Sequence, residues 1–169
     1  MIRFELFFLS KFLIPPVFSS DIKIIMHYAA YQNINLWFKP PTVVICKNQT
    51  RFDQQDVAYA LQLWQKDVKE IVVQDSCNYK IEKGKIKIVD GKNIKEEQWG
   101  YTEYHYYSET NQDGLAYKEY LGALVQLDRK VNHIGLLIHE LGHALGFSHY
   151  DTTKDVMNST PNYWSYYEP

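Results

Sequence analysis

Apolar residues fall along the chain in short runs of two different periods. Thr42–Cys46 is an unbroken, β-branched run between Pro40-Pro41 and Lys47-Asn48-Gln49, which predicts a buried strand. Asp53 follows as a candidate helix cap, with Val57, Leu61, Trp64, Val68 and Ile71 at helical spacing along one face behind it. Trp64 is then a core anchor, not a substrate platform. Residues 71–74 predict a second strand, and the order strand, helix, strand implies a right-handed crossover between parallel strands. From 79 to 94 apolar and charged residues alternate, with turn signals at Lys83-Gly84 and Asp90-Gly91, so a solvent-facing hairpin is expected. Lys80, Lys83, Lys85 and Lys87, interleaved with Ile81, Ile86, Ile88 and Glu82, would form its wet face. Residues 101–107 alternate again as a strand, a loop closes at 111–114, and 121–127 adds a further strand. After Val131-Asn132, the positions Ile134, Leu137, Ile138, Leu141 and Leu145 mark a second helix.

Length turns this pattern into a domain expectation. With 169 residues, 46% of them hydrophobic, the chain can bury one core but not two comfortable ones. We expect a single domain over residues 26–169, preceded by an apolar segment over 1–25. In that segment Arg3 precedes the apolar run 6–9, followed by Lys11, Pro15 and Pro16, with small residues Ser19 and Ser20 at a possible cleavage point. A signal peptide, an apolar arm packed on the domain, and a true start at Met26 are the alternatives. A stable membrane span is not expected, because a crossing needs about 20 uninterrupted apolar residues. A secreted or extracellular protein is the favoured location, with the cytoplasm or a larger particle as alternatives.

Charge and cysteine content narrow the partners. Eighteen basic against twenty acidic residues leave a net charge of -2, which gives no electrostatic reason to expect nucleic acid or an anionic membrane. The two cysteines, Cys46 and Cys77, are too few for a disulfide framework or a cysteine zinc site. They form either one disulfide or two separate buried thiols.

Chemistry concentrates on the second helix. Residues 139–149 read His-Glu-Leu-Gly-His-Ala-Leu-Gly-Phe-Ser-His, a complete HExxHxxGxxH. Residues four apart lie on nearly the same helix face, so His139 and His143 can present imidazole nitrogens to one ion. A third ligand requires the chain to turn, and Gly146 can supply the left-handed conformation that stops the helix and returns His149 to the metal. Three neutral imidazoles leave one position of a tetrahedral zinc site open, the arrangement of a catalytic site. Glu140, beside the first ligand, is then the general base and not a ligand. The five fixed positions recur by chance in such a sequence with a probability on the order of 10⁻⁵. Met157, shortly after the third histidine in Asp155-Val156-Met157-Asn158, suits a Met-turn behind this motif.

With these residues the sequence resembles the metzincins, and among them the matrixin branch, the matrix-metalloproteinase-type endopeptidases. The resemblance is specific over 139–157 and looser back to about Val43. It implies an α+β, zincin-like catalytic domain: a twisted mixed sheet with a long helix behind it, an active-site helix, and a Met-turn below the zinc. It also implies that strand 121–127 is the sheet edge to which an extended substrate adds, and that 158–163 walls the pocket after the cut bond. Tyr150 and Ser159 depart from the astacin branch. Cys46 lacks the surroundings of a cysteine switch, and His105 is too isolated for a second, structural zinc site. His105, His27 and His133 are read as ordinary histidines. A Ca²⁺ ion stays open without assignable ligands, since Asp113-Gly114 reads as turn chemistry.

The function expected is a zinc-dependent metalloendopeptidase, in which one catalytic Zn²⁺ activates water with Glu140 as base. Its partner would be a protein or peptide bound extended along the cleft, with a monomer as the default state. The alternative is a non-catalytic zinc-binding structural or binding module of a larger assembly. Retention of Glu140 speaks against it, because a dead member could dispense with the base.

Overall fold

The run Thr42–Cys46 does form a strand, and residues 43–46 are at most 1% exposed. The computed structural model describes residues 35–91, 94, 98–110, 116–131, 133–150 and 156–159. The segment 1–25, His27, the loop at 111–114 and most of 158–163 lie outside the described residues. In chain order the elements are β1 (Asn35–Leu36), β2 (Thr42–Cys46), a 3₁₀ turn (Lys47–Gln49), α1 (Gln54–Trp64), β3 (Glu70–Gln74), β4 (Lys85–Asp90), β5 (Gly100–Thr110), β6 (Ala116–Leu127) and α2 (Ile134–Ala144). The strands form one mixed sheet in the order β1-β6-β4-β2-β3, with β5 paired to β6. β5 runs antiparallel to β6, and the other pairs are parallel.

Alternation along the strands separates two apolar layers. Val43, Ile45, Ile86, Ile88, Ala123, Val125 and Leu127 meet both helices in the main core, with α1 contributing Val57, Ala60, Leu61 and Trp64. Val44, Cys46, Val89 and Leu124 face the other way and are covered by Cys77, Tyr79 and Ile81 from the segment between β3 and β4. Both faces are covered, which is why β2 reads as a continuous apolar run and not as an alternation.

Asp53 caps α1 as expected: its carboxylate accepts from the backbone N–H of Gln55 at 2.7 Å and of Asp56 at 3.0 Å. The Asp56 side chain reciprocates by accepting from Asp53 N–H, completing a capping box. The helix is shorter than its apolar spacing predicts. It stops at Trp64, because Gln65 takes a left-handed conformation with φ 48° and donates its N–H to the Gln62 carbonyl. Val68 therefore lies in the connection, and Ile71 belongs to β3.

Two expectations are overturned. The segment 79–94 is not a solvent-facing hairpin, since β4 is a central parallel strand between β2 and β6 with residues 86–90 buried. Lys87 misleads the pattern: it is 2% exposed, and its ammonium donates to Asn78 Oδ1 at 2.6 Å, Asn78 O at 3.1 Å and Glu82 Oε1 at 2.7 Å. Hydrogen bonds from Lys85 and Lys87 hold the Glu82 carboxyl down at about 2, below the ordinary 4.5. Lys87 is thus a paired interior cation, whereas Lys80 and Lys83 are exposed as expected.

Strand 121–127 is also not the sheet edge. It is the second half of β6, which has β4 on one side and β5 on the other. The edge on that side is β5, whose pairing among the described residues is with β6 alone, and β3 is the edge on the other. Sheet order depends on crossovers between distant segments, which local periodicity does not encode.

Cys46 and Cys77 form a disulfide, with Cα atoms 5.6 Å apart and a sequence separation of 31. It ties the end of β2 to the covering segment. Closing a loop of this length restricts the unfolded chain by about 3–4 kcal/mol on the chain-entropy account. Replacing both cysteines by alanine is expected to lower unfolding free energy by about that amount in denaturant titration, whereas a loss below about 1 kcal/mol would show that the bridge constrains little.

Candidate metal centre

Helix α2 is apolar on almost every side, and residues 135–142 are all buried between the sheet and α1. At its start His133 is the N-cap, accepting the Gly135 N–H on Nδ1 at 3.0 Å, so this histidine is a structural cap. Two tryptophans fix the helix from outside. Trp64 Nε1 donates to the Ile138 carbonyl and Trp37 Nε1 to the Ala144 carbonyl, each at 2.9 Å. Trp64 is the core anchor expected, stacked on Phe147 with ring centroids 4.5 Å apart.

The end of α2 redirects the chain. Phe147 N–H donates to the Gly142 carbonyl at 2.9 Å and Gly146 N–H to the His143 carbonyl at 3.0 Å, the paired bonds of a Schellman motif. Gly146 carries the positive φ this needs, 105°, a value an L-residue adopts only with strain. Beyond the turn, Tyr150 N–H donates to the Met157 carbonyl at 2.9 Å, so the chain leaving His149 is tied to the buried turn at Val156 and Met157.

Three side chains converge as a result. The Nε2 atoms of His139, His143 and His149 lie 3.1, 3.1 and 3.3 Å from one another. Zinc–nitrogen bonds of about 2.0–2.1 Å at tetrahedral angles place nitrogens about 3.3–3.4 Å apart, so this triangle fits such an ion within a few tenths of an ångström. The far sides of two rings are held as well. His139 Nδ1 donates to the Val156 carbonyl at 2.7 Å and His143 Nδ1 to the Phe147 carbonyl at 2.8 Å. With the proton on Nδ1, the Nε2 lone pairs point into the triangle. The rings are kept neutral chiefly by burial, with neighbouring histidines adding to the effect: His139 is pushed down to about 3 and His143 to about 4, from an ordinary 6.5.

Glu140 lies on the same helix and is 4% exposed. Burial raises its carboxyl from 4.5 to about 7, opposed by a hydrogen bond from Thr102. Thr102 Oγ1 is 2.6 Å from Glu140 Oε2 and 3.0 Å from the Glu140 carbonyl oxygen. Met157 is fully buried, and a Cβ added at Gly142 would come within 2.5 Å of both its sulfur and Trp64 Cζ2. The HExxH spacing therefore carries a glycine at its fourth position because a methionine and a tryptophan occupy the space beside it.

The family comparison agrees with this geometry. The family model described as Matrixin matches residues 37–167. The chain belongs to the matrixin family. Neither a curated protein nor a solved structure matches it. The matrixin assignment covers the described sheet from β2 onwards, both helices and the histidine triad. Matrixins are zinc-dependent, and His139, His143 and His149 are the group among the described residues that could hold a metal ion. His105, on the exposed side of β5, is not part of it. Sequence reasoning missed Gly100, Thr102 and the spatial role of Gly142, all of which act through contacts between distant segments.

The shifted groups have opposite pH signatures. His139 and His143 titrate lower when folded, so the unfolded chain gains protons first and stability falls as pH drops below 6.5 towards 4 and 3. Glu140 titrates higher when folded, so its share of stability is present below 4.5 and is lost as pH rises through about 7. Metal-free protein is therefore expected to lose thermal stability on acidification from pH 6.5 to 4.5, because two histidines outweigh one glutamate. In Glu140→Gln the opposing part disappears and the loss steepens. A melting temperature that is flat over this window in both proteins would contradict the assignment of neutral, buried imidazoles.

Proposed function

We propose that this matrixin is a zinc-dependent endopeptidase, with His139, His143 and His149 as its metal ligands and Glu140 as general base. The convergence of three Nε2 atoms within 3.3 Å supports this most strongly, since no structural need of the core calls for imidazoles to crowd so closely. A zinc ion held there supplies a Lewis acid that brings the pKa of water towards about 7 and polarises a carbonyl. Three protein ligands leave room for water and substrate, whereas structural sites are closed by a fourth.

The remaining steps belong to the chain's own groups. The Val156 and Phe147 carbonyls hold two rings in the tautomer that ligates. A Glu140 carboxylate oxygen takes the proton from the attacking water as its oxygen bonds to the peptide carbon. When the carbon–nitrogen bond breaks, the same oxygen returns that proton to the leaving amine. An extended peptide adds along the edge of β5 that no described strand pairs, the strand that carries Thr102 against Glu140. We place residues 26–169 in one catalytic domain. The Cys46–Cys77 bridge supports a secreted protein, because disulfides persist in oxidising compartments.

Replacing Glu140 by alanine is expected to leave zinc bound while cleavage of casein falls by about 10²–10⁴-fold. His149→Ala is expected to lose the metal itself. Zinc retained at full affinity in His149→Ala would remove that ligand from the site. Undiminished cleavage in Glu140→Ala would exclude the base, and zinc bound without any cleavage by the native chain would favour a non-catalytic module.

A further inference from the structure

We infer that Thr102 and Gly100, two residues of edge strand β5, are positioning residues that fix the carboxylate of Glu140; the inference rests on the role proposed for Glu140 above. The hydroxyl of Thr102 lies within hydrogen-bonding distance of both ends of one residue, Glu140 Oε2 at 2.6 Å and the Glu140 carbonyl at 3.0 Å. It thereby folds the side chain back against its own helical turn. A free glutamate has three rotatable bonds, and loss of that freedom is among the larger side-chain entropies of folding. A clamp that makes this loss before substrate arrives leaves the base already aimed.

Gly100 makes the clamp possible. A Cβ at this position would lie 2.5 Å from Glu140 Oε1, 2.7 Å from its Cγ and 2.8 Å from its Cδ. The carboxylate is thus wedged between a backbone with no side chain and a buried hydroxyl two residues further along the same face of β5. Both groups come from the edge strand, not from the helix that carries the zinc motif. The strand that presents its open edge to an extended peptide also holds the base.

This separates holding the metal from aiming the base, and the two can be tested apart. Thr102→Val keeps the shape of the side chain and removes the hydroxyl, Thr102→Ser keeps the hydroxyl, and Gly100→Ala pushes the movable end of Glu140 aside. Each zinc-loaded protein is assayed for zinc content, for kcat and KM on fluorescein-labelled casein, and for binding of acetohydroxamic acid. That small chelator offers N–H and O–H donors to a carboxylate beside the metal.

Thr102→Val and Gly100→Ala are expected to keep their zinc and KM while kcat falls roughly 10- to 100-fold, a part of what a general base contributes. Their affinity for acetohydroxamic acid should fall about tenfold, as a charge-assisted hydrogen bond is misaligned. Thr102→Ser should recover both to near the native values. Native kcat and native hydroxamate affinity in Thr102→Val would overturn the inference, as would a Thr102→Ser protein as impaired as Thr102→Val. If the native protein cleaves nothing, weaker hydroxamate binding in Thr102→Val and Gly100→Ala still supports the clamp while the peptidase function fails. Equal hydroxamate binding in all four proteins sinks the clamp whether or not casein is cut.

Discussion

Three imidazoles cannot meet at one point on a straight helix. His139 and His143 are one turn apart and share a face of α2, but the next position on that face is one turn further along and cannot reach back. The helix has to stop at Ala144 and the chain has to reverse within five residues. Gly146 does this with a positive φ, two backbone hydrogen bonds seal the turn, and Phe147 drops onto Trp64 to anchor it. Three backbone carbonyls among the described residues hold that reversal in place. The Phe147 carbonyl orients His143, the Val156 carbonyl orients His139, and the Met157 carbonyl receives the chain as it leaves His149.

The sheet serves the same point from the other side. Covering both faces of the sheet lets residues 43–46 of β2 be apolar throughout and buries residues 86–90 of β4, which seats β6, and β6 in turn carries β5 along its full length. Antiparallel pairing sets β5 at the rim, where Gly100 and Thr102 meet Glu140. The disulfide and the buried Lys87 serve this frame at a distance, by pinning the segment that covers the outer face. A cation inside a sheet costs free energy unless its donors are matched, and here one carboxylate and one asparagine match them.

How much of this was legible in the sequence follows from how local each signal is. The convergence of the three histidines, the Gly146 turn and the Asp53 cap are decided within a few residues, and the described residues show all three. The buried turn at Met157 was to be expected only because a complete motif precedes it, since a lone methionine reads as core filler. β4 was misread because a charged residue normally marks a wet face, and the partners of Lys87 lie five and nine residues away in a segment without periodicity. The edge strand was misplaced because neighbours in a sheet are chosen by crossovers. Thr102 and Gly100 were invisible for the same reason: neither belongs to a motif, and their contact with Glu140 spans about forty residues of chain.

The most direct measurement is X-ray absorption at the zinc edge of the metal-loaded protein, because it reports the atoms around the ion without depending on a substrate. Three imidazole nitrogens at about 2.0–2.1 Å, one solvent oxygen and no sulfur are expected. A shell closed by a fourth protein ligand, or one with fewer than three imidazoles, would contradict a catalytic site built on His139, His143 and His149.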